Sequence, residues 1–226
     1  MKTMERIPPK LRLRQGLAFF GRISASISHE INNVISIIGE VTGLLDDLIL
    51  LSERGRPIGV EKLKTLAERI KNQVERGKAV VKQMNLFAHS VDEPAADVDL
   101  NLAVENVAAL SQRFAARRKT CIEVESAPGP ATLAGGPFDF REAVFLCLDV
   151  LLQVQTSERP IRISLSDSEE RIEICLRGDP SDYNDEGTKQ RLAYAADLAA
   201  DMGGRLEAEA TAEESVLKLR FPLSRR

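Results

Sequence analysis

The chain of 226 residues is 43% hydrophobic, 29% charged and only 4% aromatic, and its 31 basic against 34 acidic side chains leave a formal charge of -3. That suits one large domain or two small ones, with no compositional drift toward disorder and no basic field of the kind that draws a protein to nucleic acid. Cys121, Cys147 and Cys175 are odd in number, far apart and set in apolar runs, so neither a disulfide framework nor a CxxC metal or redox site is readable and a reduced, cytoplasmic setting is expected.

The start, MKTMERIPPKLRLRQG, is basic but has no apolar stretch like that of a signal peptide, and it reads as a solvated lead-in. No later segment offers the roughly 18 uncharged apolar residues of a membrane span, so no membrane partner is expected. From Leu11 to Arg54 there is no proline, and Ile23, Ile27, Val34, Ile38, Val41, Leu45 and Leu48 recur at three- and four-residue steps. The spacing predicts an amphipathic helix on the order of 60 Å long, which needs a partner along its length. After the breaker Gly55-Arg56-Pro57-Ile58-Gly59, a second run from Val60 to His89 places Leu63, Leu66, Ile70, Gln73, Gly77, Val80, Met84 and Phe87 at heptad spacing, with Gln73 and Gly77 weakening the seam. An antiparallel helical hairpin follows, and because one hairpin leaves part of each apolar stripe in water, two are expected to pair as a homodimeric four-helix bundle. The competing expectation is that the C-terminal half folds back over the hairpin.

Val91 to Asp99, with Asp92, Glu93, Pro94, Asp97 and Asp99, reads as a linker, dividing the chain into a helical domain of residues 1–95 and a second domain of residues 96–226. Beyond it the pattern predicts a helix over Leu102–Arg118, a strand over Cys121–Glu125, an apolar helix over Phe138–Gln155, paired strands over Ile161–Leu165 and Ile172–Leu176, a helix over Lys189–Met202 ended by Gly203-Gly204, and a closing hairpin of Leu206–Ala210 and Val216–Phe221. Helices alternate with strands joined by short loops, so the fold class is α+β: the hairpin, then an α/β sandwich with a mixed sheet and helices on one face.

Within the first helix stands Ser26-Ile27-Ser28-His29-Glu30-Ile31-Asn32-Asn33. His29 and Asn33, four residues apart, share a helical face, with Glu30 at the next position. A zinc HExxH site would need a second histidine where Asn33 stands, and the only other histidine is His89, so no metal is expected. Two chemistries remain: His29 as a nucleophile toward a phosphoryl group, with Glu30 holding or removing the proton on the other ring nitrogen, and Asn33 orienting a water for attack on an acyl phosphate. Taken alone, His29 reads first as a polar residue on the exposed strip of a long helix.

Ser28-His29-Glu30-Ile31-Asn32-Asn33 resembles the H-box of sensor histidine kinases, whose dimerisation and phosphotransfer domain is a helical hairpin that pairs into a four-helix bundle. The resemblance spans Leu11 to Val91; the family's usual proline after the motif is replaced by Val34, which removes a helix kink. The second half resembles the family's ATP-binding domain in its order of elements, from Gly135-Gly136-Pro137 and the apolar helix to Ala200-Asp201-Met202-Gly203-Gly204-Arg205 and Arg220-Phe221-Pro222-Leu223. Its nucleotide ligands do not match. The N-box asparagines fall on Leu146 and Val150, which cannot ligate magnesium or phosphate. The D-x-G-x-G turn falls on Arg177-Gly178-Asp179-Pro180-Ser181-Asp182, with no second glycine, so that Asp179 would at most be a displaced adenine ligand. The lid is reduced to the acidic Ser181-Asp182-Tyr183-Asn184-Asp185-Glu186-Gly187, which would repel a triphosphate.

The resemblance therefore implies a degenerate transmitter that takes its phosphoryl group from another protein: a dimeric histidine phosphotransferase of a two-component phosphorelay, with catalytic residues His29, Glu30 and Asn33. It implies no cofactor of its own and no ATP binding. Its partners would be a second copy, a response-regulator receiver domain that supplies magnesium, and a separate histidine kinase upstream; with both domains accounted for, no room is left for a sensor. The alternatives are a phosphatase for a phosphorylated receiver and a non-catalytic pseudokinase scaffold. Ile27, Ile31, Val34, Met84 and Phe87 would form either the receiver-docking patch or bundle core, core being the stronger expectation, and the nucleotide cleft is expected to be collapsed onto Leu146 and Val150.

Overall fold

The computed structural model describes residues 7–92, 96–167 and 171–222. The absence of proline between Pro9 and Pro57 lets the first helix, α1 (Pro9–Glu53), run for 45 residues. Pro9 lies in its first turn, where a missing N–H removes no helical hydrogen bond. The Gly55 N–H donates to the Ser52 carbonyl at 2.9 Å and the Arg56 N–H to that of Leu51 at 3.1 Å, which ends the helix. The second helix, α2 (Val60–Ala88), starts with Glu61 in its first turn, where a carboxylate complements the helix dipole. It closes in a 3-10 turn, His89–Val91, whose buried Ser90 donates to the Phe87 carbonyl at 2.6 Å.

Packing groups the chain into two compact units, Arg22–Asn85 and the described residues up to Gly21 together with those from Leu86 onward. This division falls inside both helices, whereas the one read from composition lies at residue 95. In the unit Arg22–Asn85 the heptad stripe is inside: Ile23, Ile27, Val34, Val41 and Leu48 are all buried. Val41, Leu48 and Leu66 form its core, with Ile37, Leu45, Ile58 and Ile70 packed against them. This is the antiparallel hairpin expected from the two apolar runs.

The other unit is the sandwich. Its elements are β1 (Ala96–Asp99), α3 (Leu100–Arg117), β2 (Ile122–Glu125), β3 (Thr132–Gly135), α4 (Pro137–Val154), β4 (Ile161–Asp167), β5 (Arg171–Gly178), α5 (Glu186–Asp201), β6 (Arg205–Ala210) and β7 (Ser215–Pro222). The main sheet runs β2-β4-β5-β7-β6, parallel only between β2 and β4, and is therefore mixed. In-register pairs such as Ile163↔Leu176 and Ile174↔Leu219 bury the branched residues of alternate positions, against which the apolar α4 adds the buried Phe140, Val144, Leu148 and Leu151. Two short strands escaped the sequence reading: β1 and β3 pair antiparallel, with Val98 opposite Leu133, so the end of the segment read as a linker is strand. Asp99 then caps α3, accepting from the Leu102 N–H at 3.0 Å. After α5, Gly203 has φ +75°, which L side chains rarely adopt, and a Cβ on Gly204 would overlap the ring of Phe221, so the chain passes β7 here only because Gly204 lacks a side chain.

The first turns of α1 and the last turn of α2 belong to this second unit, for an identifiable reason. Six of the chain's eight phenylalanines form one ring network, in which Phe19 lies 5.2 Å from Phe87, 5.3 Å from Phe138 and 4.8 Å from Phe145, with Phe20 and Phe114 at its margins. Arg12 bridges α4 and α5 through Asp139 (3.0 Å) and Asp201, and the Ile7 N–H donates to Asp197 at 2.9 Å. The basic start is thus docked through Ile7 and Arg12, while residues 8–11 and 13–15 are exposed as expected of a solvated lead-in; residues 1–6 lie outside the described residues. Beneath Arg12, Glu142 is only 2% exposed. One of its oxygens lies 3.1 Å from the Tyr194 hydroxyl and the other has no hydrogen-bond partner. Burial pushes its carboxyl up to about 7, against the Tyr194 hydrogen bond and reinforced by Asp139, with the Arg12 charge opposing.

Candidate functional site

The motif lies on α1 inside the hairpin unit, where the burial pattern separates its residues by role. Ile27 and Val34 are turned in, at 4% and 5% exposure, while His29 and Asn33 are exposed one turn apart on the outer face. Val34, standing where the resembling family has proline, keeps its backbone N–H, and α1 is unbroken through the motif. It faces α2 at Gly77, where a Cβ would stand 3.4 Å from Val34 Cγ1, in ordinary contact. Of the five residues weighed as docking patch or core, Ile27 and Val34 are core of the hairpin unit and Phe87 is core of the other unit. Ile31 is half-buried and Met84 is exposed; Met84 shares the outside of the hairpin unit with Ile35 and Val81.

Glu30 is half-buried, and its Oε1 is ion-paired with the guanidinium of Arg76 on α2. In the sequence that arginine is one base among several on α2; only the register of the two helices puts it beside Glu30. His89 carries its own partner, with Nδ1 2.7 Å from Asp92 Oδ2. Among the described residues no cluster of histidine, cysteine, aspartate and glutamate side chains could hold a metal ion, and no helix is long and apolar enough to cross a membrane.

The resemblance lays the family's nucleotide ligands onto Leu146, Val150, Asp179 and the loop before α5. Leu146 and Val150 are core residues of α4, at 8% and 0% exposure. Asp179 is buried and saturated: Oδ2 accepts from the Thr156 and Ser157 N–H groups at 2.8 and 2.6 Å and from the Thr156 hydroxyl at 3.1 Å, and Oδ1 accepts from the Ser157 hydroxyl at 2.7 Å. Burial works against its ionised form, but these bonds outweigh it and hold the carboxyl below its ordinary value. It fastens the turn between α4 and β4, a role the sequence did not disclose. At the start of α5 the N–H groups of Gly187 and Thr188, which could otherwise face an anion, donate to Asp185 at 3.0 and 2.8 Å. The loop between them carries Tyr183 at φ +52°, and its half-buried phenol lies beside Ser215 and Cys147 in the middle of α4. Cys147 is fully buried and burial raises its thiol to about 12, which makes it an inert core residue.

Among solved structures, this chain is similar to the histidine kinase AdeS of Acinetobacter baumannii, at 13% identity over 87% of this chain and 98% of that one, with a TM-score of 0.50. It is similar to the histidine kinase ThkA in complex with the response regulator protein TrrA, at 15% identity, 93% of this chain, 64% of that one and a TM-score of 0.50. Full-length ShkA in complex with AMPPNP matches at 13% identity over 91% of this chain and 46% of that one, also with a TM-score of 0.50. No family model and no curated protein matches the chain. The fold is that of the histidine kinase transmitter region, a helical segment followed by an ATPase-like α/β sandwich.

Proposed function

We propose that the protein is a dimeric histidine phosphotransferase that exchanges a phosphoryl group between His29 and the aspartate of a response-regulator receiver domain, with no ATP of its own. The observation that carries this reading is the contrast between its two halves. His29 and Asn33 stand exposed on an intact hairpin, whereas Leu146, Val150, Asp179 and the start of α5, where a transmitter would hold its nucleotide, are occupied by core packing and internal hydrogen bonds. One of the structures similar in fold is a complex of a histidine kinase with a response regulator, which supports a receiver as the partner. The exposed Leu44, Ile49, Leu63 and Val74 of the hairpin unit support a second copy as the cover for the apolar face.

In the forward step a ring nitrogen of His29 attacks the phosphorus of the receiver's acyl phosphate. The P–O bond breaks, the receiver aspartate leaves as a carboxylate beside the receiver's magnesium, and the proton on the other ring nitrogen passes to Glu30. Asn33, exposed one turn away, is placed to hydrogen-bond a phosphoryl oxygen. The same amide could instead orient a water, the basis of a second reading as a receiver phosphatase. The experiment is incubation with a phosphorylated receiver. Acid-labile label on the wild-type protein, absent from His29→Ala, is the expected result. Free phosphate released equally by His29→Ala would favour hydrolysis, and autophosphorylation from ATP alone would refute the proposal.

A further inference from the structure

The proton acceptor assigned above is not free. Successive residues on a helix point about 100° apart, so Glu30 is directed toward the flank where α2 runs while His29 faces outward. There Arg76 takes one of its carboxylate oxygens in an ion pair between α1 and α2. Both members are partly open to water, Arg76 at 46% and Glu30 at 26% of their side-chain surface. Pairs of this kind are weak, and opening one costs at most about fivefold in population.

We infer that Arg76 is a positioning residue for the histidine, a latch that holds the Glu30 carboxylate on the α2 side and away from the His29 ring in the resting protein. The inference rests on the phosphotransfer reading for its purpose, but the latch itself is a property of three side chains. With Arg76 in place, Glu30 is a proton acceptor only in the fraction of molecules in which the pair is open. A receiver that brings its own anionic phosphoryl group to His29 adds a competing anion for the guanidinium, which favours the open form at the moment when the proton must leave.

The test uses the whole 226-residue chain and two readouts. In the first, the ring protons of His29 are titrated by NMR, with His89→Gln to assign the two histidines. Arg76→Ala removes a nearby positive charge and also frees Glu30, so the experiment is run with and without Glu30→Gln. The upward displacement of the His29 midpoint caused by Arg76→Ala is expected to be about half a pH unit larger with Glu30 present. Arg76→Lys, which keeps the charge, is expected to titrate as wild type. Equal displacements in the two backgrounds would overturn the latch. In the second, single-turnover transfer from a phosphorylated receiver is expected to be up to about fivefold faster in Arg76→Ala than in wild type, and unchanged by that substitution in the Glu30→Gln background. Slowing in both backgrounds would make Arg76 a structural brace instead. If wild type takes no label at His29, the phosphotransfer reading fails, while the titration still decides the latch.

Discussion

Glu142 offers the most direct test of the packing at the start of α1. Its carboxyl, 2% exposed and with one oxygen unpartnered, moves from 4.5 to about 7 on folding, a difference of about 2.5 pH units. At about 1.36 kcal/mol per unit, the ionised form costs the folded state roughly 3 kcal/mol. Because the folded carboxyl binds its proton more tightly than the unfolded one, the native state carries more protons between pH 4.5 and 7. Stability therefore falls as pH rises across that window and stays reduced above it. Glutamine at this position keeps the shape and the acceptor for the Tyr194 hydroxyl but cannot ionise. Its amide N–H inherits the unpartnered place, which returns part of the gain, so Glu142→Gln is expected to be about 1–3 kcal/mol more stable than wild type at pH 8 and equal to it near pH 4.5. Urea unfolding followed by circular dichroism at the two pH values measures this. A stability difference independent of pH would refute the reasoning, because it would mean that Glu142 titrates alike in the folded and unfolded chain.

Asp179→Ala removes the acceptor of four hydrogen bonds and leaves the Thr156 and Ser157 N–H groups without a partner; a loss of about 2–3 kcal/mol in urea unfolding is expected, with no change in any nucleotide affinity measured by calorimetry. Gly204→Ala places a methyl against Phe221 and the Arg220 carbonyl oxygen, 2.6 Å away; overpacking of this kind costs roughly 1–3 kcal/mol, and a lowered melting temperature with the same hairpin helicity is the expected outcome. Phe19→Ala removes a ring that contacts Phe87, Phe138 and Phe145; it is expected to cost about 3–5 kcal/mol and to speed hydrogen exchange in the first turns of α1 ahead of those around Val41.

What could be read from the sequence followed how local its cause was. The first long helix was legible because Ile27, Val34, Val41 and Leu48 repeat at seven-residue intervals, and the burial of each confirms the stripe. The exposure of His29 and Asn33 followed from the same wheel. β1 and β3 were not legible because four residues, two of them aspartates in Ala96–Asp99, carry too little apolar pattern; the pairing Val98↔Leu133 is made across 35 positions of chain. α5 starts three residues before the predicted Lys189 because Asp185, which in sequence is one acid among several in the loop, is its cap. Arg76 and Asp179 share a cause: each acquires its role from a partner on another element, Glu30 on α1 or Thr156 and Ser157 after α4, and no spacing within one element announces it.

The placement of the aromatic residues also settles how the molecule can be watched. There is no tryptophan, and the only two tyrosines, Tyr183 and Tyr194, are both in the sandwich unit. Intrinsic ultraviolet emission is therefore a reporter of that unit alone, and Tyr194 places one of its two emitters against Glu142. The hairpin that carries His29 emits nothing, although it supplies much of the helical ellipticity. Recorded on the same sample, emission and far-ultraviolet ellipticity thus follow different parts of one chain without any attached dye, and a tyrosine signal that changes near neutral pH would mark the Glu142 proton in the unlabelled protein.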